Sequence, residues 1–118
     1  MIRVLFRVAL LAPLAGQAAS FDAPGVARFD VGYARCEARF AHMKGYRDEA
    51  YLAAYRVKAD DGARARLAEL RRSPSYQKAR RTALADAAQP AAAASSSPLE
   101  QQCQALWTAT QRARAAGR

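Results

Sequence analysis

The chain has 118 residues, a formal net charge of +9 and a hydrophobic content of 52%, but 31 of its residues are alanine. Only 21 larger apolar or aromatic residues lie between Phe21 and Trp107, enough for one small domain with a thin core and too few for a multi-domain architecture. With two cysteines and one histidine, a cysteine-rich scaffold and a histidine-rich metal site are excluded.

Residues 1–20 read as a secretory signal peptide. Arg3 and Arg7 give a positive start, Val8 to Ala15 is a short apolar run, and Gly16-Gln17-Ala18 and Ala18-Ala19-Ser20 supply small-x-small cleavage sites. The run is far short of the ~20 apolar residues that span a bilayer, and Pro13 interrupts it. Cleavage is therefore expected to release a domain of residues 21–118, with a net charge of +7 once Arg3 and Arg7 are gone. The Ala- and Arg-heavy composition suits a GC-rich bacterial genome, so the expected destination is the periplasm or the exterior. No transmembrane segment is expected in the mature chain.

From Phe21 onward the apolar periodicity is helical. Phe29, Tyr33, Cys36, Phe40 and Met43 step by four, three, four and three, which places them on one face of a helix running through Ala50 and Ala54 to about Val57. Asp22 or Asp30 is positioned to cap its start. Gly45 weakens it by about 1 kcal/mol relative to alanine, so any kink or break belongs between Lys44 and Tyr46. Tyr46, Tyr51 and Tyr55 lie off the first stripe and predict a second covered face.

Asp60-Asp61-Gly62 reads as turn and cap for a short helix with Ala63, Leu67 and Leu70 inward. Ser73 caps the next helix, with Pro74 in its first turn and Tyr76, Ala83, Leu84 and Ala87 as its apolar positions. Residues 89–97 form an Ala/Ser/Pro low-complexity linker. Ser97-Pro98-Leu99-Glu100 is then a capping box. Behind it Leu99, Cys103, Leu106, Thr110 and Ala113 form a stripe, with Trp107 beside it. Cys36 and Cys103 thus occupy the apolar faces of the first and last helices, so a disulfide between them is expected in an oxidising compartment. The expected fold is all-α: a small bundle of three to four helices stapled by one disulfide.

Catalytic patterns are weak. Ser75-Tyr76-Gln77-Lys78 has the spacing of a serine nucleophile with a lysine one turn on, but no companion motif accompanies it and an Arg/Lys-rich helix produces it by chance. His42 stands alone, and Cys36, His42 and Cys103 match no recurrent zinc spacing. There is no Gly-rich phosphate loop and no Cys-x-x-Cys. No enzyme activity, cofactor or metal is expected.

Basic charge is the one property above background. Residues 35–81 hold thirteen Lys or Arg against six Asp or Glu, and Arg71, Arg72, Lys78, Arg80 and Arg81 are the densest group. These five are the candidate contacts to an anionic partner, through guanidinium and ammonium groups that meet phosphate or carboxylate oxygens. In an exported protein the partner is an acidic envelope protein, lipid or glycan, and nucleic acid is not expected. The competing reading is an ordinary solvated surface. The alternative function is that of an exported holdase chaperone. Only Trp107-Thr108-Ala109-Thr110-Gln111 can be set beside the repeated Leu-Thr-x-x-Gln motif of such chaperones, and it lacks the leucine.

Overall fold

A computed structural model describes residues 21–89 and 97–117. The expected signal peptide at 1–20 lies outside the described residues, as does most of the linker expected at 89–97. Among the described residues there are five α-helices and no strand: α1 Ala23–Arg39, α2 Arg47–Ala54, α3 Asp61–Arg71, α4 Pro74–Ala87 and α5 Ser97–Ala116. None of them is long and apolar enough to cross a membrane. The count exceeds the three to four expected because the long first helix is divided.

That division spans Phe40 to Tyr46. Phe40 is extended, Ala41–Met43 make one 3₁₀ turn, and Gly45 takes φ +90°, a left-handed conformation that glycine adopts without a Cβ penalty. The buried Tyr33 hydroxyl donates to the Met43 carbonyl oxygen at 2.6 Å, tying the turn back onto α1. The interruption lets α2 leave the axis of α1 and cover it from the side.

The helix starts follow local chemistry. Asp22 caps α1 by accepting from the Gly25 amide at 2.9 Å, and a Cβ at Gly25 would collide with that carboxylate oxygen. Asp60 caps α3 through the Ala63 amide, and Ser73 caps α4 through the Tyr76 amide. Each such cap is worth about 1 kcal/mol. The end of α2 closes with Val57 N–H on Leu52 O and Arg56 N–H on Ala53 O. Arg56 takes the left-handed φ of 57° that this closing motif requires and that glycine usually supplies. The Ser97 side chain is not among the described groups, so the expected capping box is not described there; Glu100 carries an ion pair with Arg39.

Helix α1 is the hub because it is buried on two sides. Val26, Ala27 and Val31 join Tyr51, Leu52, Ala63, Leu67, Tyr76 and Ala83 in one cluster. Tyr33 and Cys36 join Met43, Ala50 and Cys103 in a second, and Phe29 packs against both. Of the three tyrosines that predicted a second covered face, Tyr51 is fully buried against Phe29 and Phe21, Tyr46 is half-buried and Tyr55 is 44% exposed. Other expected apolar positions also turn outward: Ala54 is exposed, Leu84 is 44% exposed, and Ala113 is exposed where its neighbour Arg114 instead covers the Tyr46 ring at 4.6 Å.

Helix directions follow from which residues meet. Cys36 is bonded to Cys103 with Cα atoms 5.6 Å apart, and Arg39 pairs with Glu100, so α5 runs antiparallel to α1. Ala23 and Pro24 share a groove with Ser73 and Ser75, whereas Gly32 and Arg35 share its continuation with Asp86 and Ala87. Helix α4 therefore runs parallel to α1, with α2 and α3 making the return.

Candidate functional site

The distribution of charge decides what the surface can do. All ten acids of the sequence fall within the described residues. Asp30, Glu37, Asp48, Glu49, Asp61, Glu69 and Glu100 form ion pairs with arginines, while Asp22 and Asp60 cap helices. Among the described residues Asp86 has neither role. With the acids so committed, the excess positive charge resides on side chains that meet solvent.

The five sequence-predicted basic residues separate into three kinds. Arg71, at the end of α3, turns inward: Nε and one terminal nitrogen fork onto both Asp30 oxygens at 2.9 and 3.0 Å, and the other reaches Asp48 at 2.5 Å. The Tyr76 hydroxyl adds a donor to Asp30 at 2.5 Å. Asp30 is only 1% exposed, so the carboxylate proposed as a helix cap is instead the buried centre of a network joining α1, α2, α3 and α4. Burial works against the Arg71 charge, but the hydrogen bonds from Asp30 and then Asp48 prevail and hold its pKa above the ordinary value. Burial, then the bond to Asp30, pushes the Tyr76 phenol up. Arg71 is thus internal to the fold and unavailable to an outside anion.

Arg72 is exposed and pairs with Glu69 one turn back, an arrangement that water screens. Lys78, Arg80 and Arg81 are exposed on α4, and none has an acidic partner among the described residues. Their positions follow from the helix: Tyr76, Ala79, Ala83 and Ala87 take the inward side, which leaves 78 and 81 outward and 80 on the flank.

Beside Lys78 lies a feature that composition did not reveal. A groove of about 770 Å³ runs between the starts of α1 and α4, floored by Ala23, Pro24, Leu70, Ala79 and Ala83. Arg28 stands on its α1 wall; Lys78 and Thr82 stand on its α4 wall. Arg28 was not among the expected contacts, because only the parallel packing of α4 on α1 brings it opposite Lys78. Ser75 also lines the groove, with Ser73 and Thr82, but no hydrogen bond joins Ser75 to Lys78, and no histidine lines the groove among the described residues.

The remaining candidates are structural. Cys36 and Cys103 form a buried disulfide. His42 is exposed and sits edge-on to Trp107 at 5.0 Å, next to Phe40. No group of three or more His, Cys, Asp or Glu among the described residues is placed to hold a metal ion. Comparison of the chain with protein families, with curated proteins and with solved structures finds no match.

Proposed function

We propose that this chain is a small, exported, non-enzymatic binding module. Residues 1–20 serve as its signal peptide, the periplasm is its destination, and the basic side of α4 docks an anionic partner of the bacterial envelope. The observation that carries this reading is the unpaired state of Lys78, Arg80 and Arg81 among the described residues, in a fold that commits nine of its ten acids to arginines and helix caps. Exposed cations crowded on one helix attract carboxylate or phosphate from a distance, and at a solvated rim they keep part of their hydration while doing so. A holdase would need apolar surface for unfolded clients; the large hydrophobics exposed among the described residues are Tyr55, just past the end of α2, and Leu84 on α4.

Affinity capture from envelope extract tests the proposal, with the folded Arg80→Glu/Arg81→Glu variant as the paired control. The wild type retains a partner that salt elutes, and the variant does not retain it. Equal retention by both, or no selective retention by the wild type, overturns the reading.

A further inference from the structure

The proposed partner can be specified further from the groove between α1 and α4. This step rests on the docking reading above and names the class of ligand. Parallel helices with mostly small residues facing the gap leave a trough, and here the floor is Ala23, Pro24, Ala79 and Ala83, with Leu70 of α3 beside them. Its continuation is lined by Val31, Gly32 and Ala87. From Ala23 to Arg35 the α1 wall spans thirteen residues, about 18 Å at the helical rise between its ends, or roughly three turns of a helix laid in it. No tunnel encloses it, so an acyl chain would stay largely wet, whereas a helix covers such an open trough along one face.

Charge selects the kind of helix. Arg28 stands on one wall and Lys78 on the other, and both lack acidic partners among the described residues. Arg28 and Arg35 are seven residues apart, hence two turns along the same side of α1, and Asp86 is the one acid on the lining of both segments. We infer that the α1/α4 groove binds an amphipathic helix of an envelope protein, whose apolar stripe rests on the alanine floor. Carboxylates flanking that stripe meet Arg28 and Lys78. Arg80 and Arg81, farther round α4, strengthen the attraction without lining the groove.

Selection from a displayed library of amphipathic helices with randomised polar positions tests this without presupposing the partner. The full exported chain is the bait, and the recovered peptides are assayed against two folded groove variants. Enriched peptides carry Asp or Glu beside an apolar stripe. Thr82→Trp, which fills the trough with a bulky ring, weakens them at least about tenfold, and so does Arg28→Glu/Lys78→Glu. Amide shifts on binding map to α1 and α4. Enrichment of neutral or basic helices, no enrichment, binding untouched by either groove variant, or occupation of the trough by anionic lipid vesicles and not by helices overturns the inference. If Arg80→Glu/Arg81→Glu abolishes capture from extract while the groove variants leave it intact, the docking reading stands and the groove is not its site.

Discussion

Arg71→Met separates the structural arginine from the surface ones. The substitution keeps the stem volume and removes the charge, leaving the Asp30 carboxylate 1% exposed with Tyr76 as its remaining donor. Breaking a buried pair from one side costs about 3–5 kcal/mol, because the surviving charge is stranded. The Arg71 side chain is 23% exposed, so some water can reach the gap. The lower end, about 3 kcal/mol, is the expected loss. For a domain of this size that lowers Tm by roughly 12–24 °C and consumes a large part of a total stability of about 5–15 kcal/mol. Urea denaturation followed by helical circular dichroism and Trp107 fluorescence measures it. The double variant Asp30→Asn/Arg71→Met should recover at least about half of the loss, since a neutral amide no longer strands a charge. A loss under about 1 kcal/mol, or a double variant worse than the single, would refute the assignment of this network as the tie between α1, α2, α3 and α4.

Three further outcomes are expected. Replacing Cys36 and Cys103 by serine removes a link closing residues 36–103, which costs about 4 kcal/mol in the loop-entropy account, and thermal melts under oxidising and reducing conditions should differ for the wild type alone. Burial, reinforced by Glu37, pushes the Tyr33 phenol up to about 12, against about 10 in an unfolded chain. Its contribution is therefore complete below pH ~10 and lost as the pH rises toward 12, of order 2 kcal/mol in all; denaturation curves from pH 9 upward should show a decline that Tyr33→Phe flattens. Mass spectrometry of the exported protein should find a mature N-terminus at Ala19 or Phe21, and an intact Met1 in the envelope fraction would remove the basis for export.

What the sequence made legible was local. Asp22, Asp60 and Ser73 cap the helices they precede because capping is decided within three residues. The four-three stepping of Tyr33, Cys36 and Met43 survives as one of the two cores, which is why the disulfide could be anticipated. What was not legible depends on which helices meet. Arg71 belonged by position to the basic cluster, yet its partner Asp30 is 41 residues away on α1. Asp30 itself looked like a cap because an aspartate near a helix start satisfies the local rule, whatever a distant arginine does. Arg28 carried no signal at all, since its importance arises only when α4 packs parallel beside it. The division of the first helix was marked by Gly45, but its extent back to Phe40 depends on the buried Tyr33 to Met43 hydrogen bond.

The salt dependence of binding tests the central claim most directly. The partner captured from envelope extract is titrated by calorimetry with the wild type and with Lys78→Gln/Arg80→Gln/Arg81→Gln, across ionic strengths that shorten the screening length from about 30 to about 8 Å. The α4 account predicts that wild-type affinity falls steadily with salt, that the triple variant binds at least about tenfold more weakly at low salt, and that its salt slope is much flatter. Equal affinity and equal slope for the two folded proteins would contradict it, leaving the α4 cations as solvated surface.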